Sequence, residues 1–185
     1  MRGLLTAFLL SLALLLAAPG AVPAGDYTDK AALDELFAQL KKAPDASAAE
    51  AITQTIWAYW FNPTDPKLAE AMSSAQAAYG EGDFDGSLSI LDRIVVDYPD
   101  YAEGWNRRAT LYYELGNFKA SLADIDKVLA LEPRHFGALS GRVMIELQLG
   151  DRPAALKDMV AALAIHPYLA MKAYFPELNQ DIINL

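Results

Sequence analysis

The chain has 185 residues, of which 54% are hydrophobic, and it carries 24 acidic against 15 basic side chains, a net charge of −9. That length fits one domain, and the apolar content is sufficient for a core that forms without disulfide bonds, because the chain has no cysteine. An acidic chain with no basic run lacks the cationic surface on which nucleic-acid binding depends, so a nucleic-acid partner is not expected.

The first 24 residues predict a secretory signal peptide. Arg2 precedes an apolar run from Leu4 to Ala18, and the small residues Val22 and Ala24 follow a Pro-Gly break. We expect cleavage after Ala24, which leaves 14 basic and 24 acidic residues in the mature chain. An uncleaved membrane anchor is the alternative, but the run is shorter than the roughly 20 residues that a spanning helix needs. The expected location is therefore periplasmic or secreted, with no membrane span in the mature form.

Residues 25–67 are expected to form a helix pair and a linker. Helical periodicity runs through KAALDELFAQLKKA and SAAEAITQTIWAYWF, where Ser47 is the expected N-cap and Glu50 completes a capping box. Trp57 and Trp60 are three residues apart and share a helix face, so we expect them to attach this pair to the first of the repeats that follow. An exposed aromatic patch for a membrane or a partner is the alternative.

From residue 68 onward the sequence repeats every 34 residues, and in each repeat a proline follows a glycine by 17. These residues are Gly82 and Pro99, Gly116 and Pro133, and Gly150 and Pro167. Apolar residues between them recur with helical spacing, and no alternation long enough for a strand occurs. The pattern predicts helix–turn–helix units in which glycine ends the first helix, the following Asp or Asn caps the second, and proline ends it.

The stretch YGEGDFDG, residues 79–86, could by itself be mistaken for a ligand-binding loop. A nucleotide-binding fingerprint needs G-x-G-x-x-G after a strand, whereas Gly86 comes one residue late and a helix precedes it. A calcium loop that begins at Asp83 would need glycine and glutamate where the sequence has Leu88 and Ile94. The aligned stretches of the other two units lack the second glycine, so this stretch is predicted to be a turn between helices.

The 34-residue period and its anchors resemble the tetratricopeptide repeat, whose outline is W-x2-L-G-x2-Y, then A-x3-F, then P. The middle unit matches best, with Trp105, Tyr112, Gly116 and Pro133 in place. The resemblance covers three units, 68–101, 102–135 and 136–169. It implies an all-α solenoid of stacked antiparallel helix pairs, with residues 25–67 as a degenerate N-terminal pair and residues 170–185 as a capping helix that Pro176 interrupts.

The resemblance also implies that the first helices of the units line a concave groove that binds an extended segment or an amphipathic helix of a protein partner. The candidate groove residues recur at the 34-residue interval as Met72, Asn106 and Ser140, as Gln76, Thr110 and Met144, and as Tyr79, Tyr113 and Leu147, with Arg107 beside them. The alternative for the two tyrosines is packing between adjacent units. A subclass of the family binds a C-terminal carboxylate, but Met72, Gln76, Gly137 and Gly141 replace the cationic and amide side chains that this would need.

Four arginines form a basic minority on this acidic chain: Arg107, Arg108, Arg134 and Arg142. They could bind the carboxylates of a partner, but pairing within the protein, for example with Glu103, Glu114 or Glu146, is the favoured interpretation.

The sequence contains no pattern typical of catalysis, a metal site or a cofactor site. The two histidines, His135 and His166, lie beside prolines and are expected to be solvent-facing turn residues. We therefore expect a protein-interaction scaffold that is not an enzyme. The alternative is an enzyme or an accessory domain of a cell-envelope complex that uses acidic residues of the concave face.

Overall fold

A computed structural model describes residues 27–179, and all regular structure within that range is helical. Eight α-helices are followed by two 3₁₀ helices: α1 (Lys30–Lys41), α2 (Ala46–Phe61), α3 (Pro66–Gly80), α4 (Phe84–Asp97), α5 (Ala102–Glu114), α6 (Phe118–Leu131), α7 (Phe136–Gln148), α8 (Arg152–Ile165), Ala170–Tyr174 and Pro176–Asn179. The signal peptide predicted for residues 1–24 lies outside the described residues.

Helices α3 to α8 form three pairs that stack side by side. The two helices of a pair contact each other closely, and α4 packs on α5 as α6 packs on α7. Gly82, Gly116 and Gly150 have φ of 79°, 73° and 79°, the left-handed conformation in which glycine ends a first helix. The predicted all-α solenoid of helix pairs is confirmed.

Each second helix begins with a cap and packs with one apolar stripe. The side chains of Asp83, Asn117 and Asp151 accept hydrogen bonds from backbone N–H groups three residues on, as expected from the sequence. Leu91, Ile125 and Met159, one in each unit, are buried. These residues form the apolar face with which each second helix packs into the core.

Arginine side chains link neighbouring helix pairs. Arg108 donates from Nε and Nη2 to Asp124 of its own unit at 2.7 and 2.8 Å, and from Nη1 to Asp92 of the preceding unit at 2.8 Å. The same arrangement recurs 34 residues later, where Arg142 contacts Asp158 and Asp126.

The preference for internal pairing of the arginines is confirmed, but most of the partners differ from those expected. Only Arg107 pairs with one of the three glutamates proposed, Glu103. Arg134 pairs with Glu132 and with Asp34 of α1. The 34-residue spacing explains the aspartates used by Arg108 and Arg142, since a residue of a first helix faces second-helix residues 16 positions before and after it.

The N-terminal pair, α1 and α2, lies along the three turns that end the repeats. The Tyr101 hydroxyl donates to the Trp60 carbonyl at 2.5 Å, and the Tyr168 hydroxyl donates to the Ala43 carbonyl at 3.0 Å. Between these contacts, Phe136 packs within the core of the pair.

The expectation that Trp57 and Trp60 attach this pair to the first repeat is wrong. Both indoles contact His135 and Phe136, where the second repeat meets the third, and the contact with the first repeat is made by the Trp60 backbone carbonyl, which accepts from Tyr101. The apolar face of α2 is covered by the turn residues of later units, which sequence spacing does not reveal.

The expectation that His135 and His166 face solvent is also wrong. Their exposed fractions are 0% and 4%. Each imidazole is hydrogen-bonded at both nitrogens, so burial leaves neither ring without partners.

Two expectations about helix ends need correction. Asp45, not Ser47, caps α2, because its carboxylate accepts from the Ala48 amide at 2.8 Å, and Glu50 instead accepts from Gln54. The predicted capping helix is two short 3₁₀ helices that break at Phe175, which is buried against α7 and α8. Residues 180–185 lie outside the described range.

Candidate functional site

The concave side of the stack contains a cavity of about 620 Å³ between α3 and α5. Its floor includes Ser87 and Leu91 of α4, and its far wall is made by Phe61 and Asn62 at the end of α2. A smaller cavity of about 150 Å³ continues along the same side between α5 and α7. The repeats alone therefore do not enclose the groove, since the N-terminal pair supplies part of it.

The structure brings nine of the ten candidate groove residues to these two cavities. The larger cavity is lined by Met72, Gln76, Tyr79, Arg107 and Thr110. The smaller one is lined by Asn106, Thr110, Tyr113, Ser140 and Met144. Leu147 lines neither, and packs against the core of the last unit. That these residues bind a partner stays a prediction.

Three residues that line the groove lie outside the repeats and were not predicted from the sequence: Phe61, Asn62 and Met171. They belong to α2, its C-cap and the first 3₁₀ helix, outside the 34-residue pattern. The aromatic run that contains Phe61 was recognised, but no periodicity relates it to α3 and α5.

Arg107 is held in place by three neighbours. Its Nε donates to Glu103 at 2.9 Å, its Nη1 donates to Gln76 at 2.5 Å, and its guanidinium lies 4.2 Å from the centre of the Phe61 ring. Glu103 is 1% exposed and also accepts from Asn106 at 2.9 Å. The charge of Arg107 is thus balanced within the protein, and its planar face is covered by the aromatic wall.

The two groove tyrosines join neighbouring units. Tyr79 donates to Glu114 at 2.7 Å, and Tyr113 donates to Gln148 at 3.2 Å, in each case 35 residues along the chain. Because the Tyr79 hydroxyl donates its proton to the Glu114 carboxylate, the pKa of this hydroxyl is raised. Tyr79 therefore both lines the larger cavity and makes a contact between units.

The chemistry of the groove is apolar and hydrogen-bonding. Apolar and aromatic side chains make up the larger part of the lining, among them methionine, alanine and leucine, with amide and hydroxyl groups between them. The acidic residues of α5 are engaged, Glu103 with Arg107 and Glu114 with Tyr79. This surface can bind an uncharged segment by burial of apolar area, with a few polar groups to fix its orientation.

Within residues 27–179, no cluster of three or more histidine or carboxylate side chains has the arrangement of a metal site. The same residues contain no helix with both the length and the apolar character that crossing a bilayer requires.

Comparison with known proteins agrees with this architecture. The family model described as tetratricopeptide repeat matches residues 72–133 and 106–170, which together exceed half of the chain. A TPR repeat-containing protein of Rhizobium etli is 38% identical over 84 residues, a match that spans 45% of this chain and 41% of the relative.

Among solved structures, the TPR2B-domain:pHsp70 complex of yeast Sti1 is similar with a TM-score of 0.54 and 19% identity, covering 63% of this chain and 93% of that one. MamA MSR-1 C2 is similar with a TM-score of 0.49 and 16% identity, covering 81% and 88%. The matched repeats and the stacked helix pairs lead to one conclusion: the chain belongs to the tetratricopeptide repeat family.

Proposed function

We propose that the chain is an exported adapter that binds an uncharged, largely apolar segment of a partner protein in its concave groove. The observation that carries the proposal is the cavity of about 620 Å³, which is bounded by α3, α5 and the end of α2 and lined mainly by apolar side chains. Tetratricopeptide repeats generally mediate protein–protein interactions, which supports the class of function.

The expected partner segment is an extended strand or one face of an amphipathic helix. Methionine side chains such as Met72 and Met144 adapt to irregular apolar partners, and Gln76 and Thr110 can orient the partner backbone. Because Arg107 already pairs with the buried Glu103 carboxylate, its charge is largely neutralised within the protein, and a partner carboxylate would gain less from it. This favours an uncharged segment.

Export is the second part of the proposal. The support is the N-terminal pattern of one arginine, an apolar run and small residues before Gly25. The mass of the native protein tests this part directly, since removal of residues 1–24 predicts a chain that begins at Gly25. A mature protein that retains Met1 would contradict it.

Two adjacent serines provide a matched test of the groove. Ser73 lines the concave cavity, whereas Ser74 lines a separate cavity between α3 and α4, and both are exposed. Peptides selected from a random library against the full chain serve as probes in calorimetric titrations. Ser73→Arg is expected to weaken binding at least about tenfold, because it places a bulky charge in an apolar groove, whereas Ser74→Arg leaves binding unchanged.

Equal affinities for the two variants would contradict the groove as the binding site. Selected peptides rich in acidic residues would contradict the predicted partner chemistry while leaving the groove intact.

A further inference from the structure

Both histidines of the chain lie beneath one face of α2. His166 Nε2 is 2.9 Å from the Thr53 hydroxyl, and the His135 ring is stacked on the Trp60 indole with 4.0 Å between ring centres. Thr53 and Trp60 are seven residues apart, two helical turns, so they share a face. The repeats therefore present both imidazoles to the same surface of the N-terminal pair.

Hydrogen bonds fix the protonation state of both rings. The amide of Ala138 donates to His135 Nδ1 at 3.0 Å, and the amide of Tyr168 donates to His166 Nδ1 at 3.2 Å. A nitrogen that accepts in this way carries no proton, so each ring is neutral with its proton on Nε2. Protonation of Nδ1 would replace this acceptor by an N–H that points at the backbone N–H it now accepts from.

The two rings differ in the charges around them. Those near His135 come from α5, from its own turn and from α1: Glu103, Arg107, Glu132, Arg134 and Asp34. The nearest is the Glu103 carboxylate, 3.1 Å from His135 Nε2. An imidazolium at His135 would form an ion pair with it, which compensates a large part of the cost of burying the charge.

His166 has no such compensation at hydrogen-bond distance. Its Nε2 faces the hydroxyl of Thr53, which already donates to the Ala49 carbonyl and can only accept from the ring. The carboxylate that acts on it from α2 is Glu50, which is exposed, and the carboxyl end of α8 also favours a cation. Burial outweighs both and lowers the pKa of His166 below its ordinary value of 6.5.

We propose that His166 makes the docking of the α1–α2 pair on the repeats sensitive to pH, so that the pair is held most tightly at neutral pH and less tightly once this imidazole takes up a proton. A released ring would titrate at its ordinary pKa, and the docked ring titrates lower. Docking is therefore strongest above about pH 6.5. Below that pH the equilibrium constant for docking falls by up to about tenfold for each pH unit, until the pKa of the docked ring is reached.

Loosening of α2 changes the groove, because Phe61 at the end of this helix forms the far wall of the larger cavity. Without that wall, the face of the Arg107 guanidinium is uncovered, and the apolar surface of the groove becomes wider. The proposal is independent of the identity of any partner and is tested without one.

The test is a pH titration of the full chain from about pH 8 to pH 5, followed by histidine side-chain NMR and by tryptophan fluorescence. A Trp105→Phe background leaves Trp57 and Trp60, both on α2, as the reporters of docking. We expect the His166 resonance to titrate below the ordinary histidine range and the indole emission to shift towards that of exposed tryptophan over the same interval.

His166→Gln and His135→Gln form the matched pair of variants. Glutamine at position 166 can still donate to Thr53 and does not titrate, so the fluorescence transition should disappear in this variant and persist in His135→Gln. A transition that survives His166→Gln would overturn the proposal. So would a His166 resonance in the unmodified chain that titrates at or above the ordinary value, a result that does not depend on the folding of any variant.

Discussion

Arg108 and Asp124 form a two-point ion pair inside the second repeat, with both carboxylate oxygens engaged at 2.7 and 2.8 Å. The same guanidinium reaches Asp92 of the preceding repeat. One side chain thus joins the two helices of a unit and two neighbouring units. Asp124 is buried, whereas Asp92 is largely exposed, so the two halves of the link should differ in strength.

Replacement of Asp124 by Ala should lower the free energy of unfolding by about 3 kcal/mol, because it leaves a partly buried guanidinium without its main partner. Asp92→Ala should cost at most about 1 kcal/mol, since the lost pair is exposed to solvent. Urea denaturation followed by circular dichroism measures both. Equal losses for the two variants would show that the link between units is no weaker than the pair within the unit.

Two neighbouring glycines should respond in opposite directions to alanine. Gly82 has φ of 79°, a conformation that an L side chain adopts only with strain, so Gly82→Ala should destabilise the protein by about 1–2 kcal/mol. Gly80 is the last residue of α3, lies outside the left-handed conformation and has open space around it, so Gly80→Ala should stabilise by about 0.5 kcal/mol. Thermal unfolding of both variants provides the measurement, and a stabilised Gly82→Ala protein would contradict the turn geometry.

Truncation of Trp60 tests whether the N-terminal pair supports the repeats. The indole is buried between Phe37 and the rings of His135 and Phe136, so Trp60→Ala should cost about 3–5 kcal/mol of unfolding free energy. Trp105 is only partly buried and its alanine variant serves as the control with a smaller expected loss. A cost below about 1 kcal/mol for Trp60→Ala would mean that the pair contributes little to the fold.

Glu146 is expected to weaken the fold at neutral pH. One of its carboxylate oxygens is buried without a hydrogen-bond partner, and burial together with the nearby Asp158 charge raises its pKa. A raised carboxyl pKa means that the folded state binds the proton more tightly, so stability falls as pH rises from the unfolded-state value of 4.5 through the folded-state value.

Glu146→Gln should therefore stabilise the protein at pH 7, by less than about 1 kcal/mol because solvent screens this partly exposed group, and should have little effect near pH 4, where the carboxyl is mostly protonated in both states. Melting temperatures at the two pH values measure the difference. Equal stabilisation at the two pH values would show that the charge of Glu146 is not what weakens the fold.

The repeated part of the fold could be predicted from the sequence because its residues keep one spacing. Glycine and proline mark the ends of the helices, and the 34-residue rows bring Met72, Asn106 and Ser140 to the concave side. Local turn chemistry and helical periodicity decide these features, and both are visible in a single sequence.

The contacts of the N-terminal pair could not be predicted in the same way. The contacts of Trp60 with Tyr101 and of Thr53 with His166 span 41 and 113 residues, and no periodicity relates the partners. Histidines beside prolines indicate turns, but a turn is buried when another helix covers it, as α2 does here. The groove wall at Phe61 follows from the same packing and was missed for the same reason.

The central claim is that the groove between α3, α5 and the end of α2 binds the partner segment. The most direct measurement is NMR shift mapping of a selected peptide on the isotope-labelled full chain. The account predicts that the perturbed amides and methyl groups cluster at Met72, Gln76, Thr110 and Phe61. Perturbations confined to the outer faces of α4, α6 and α8 would contradict it.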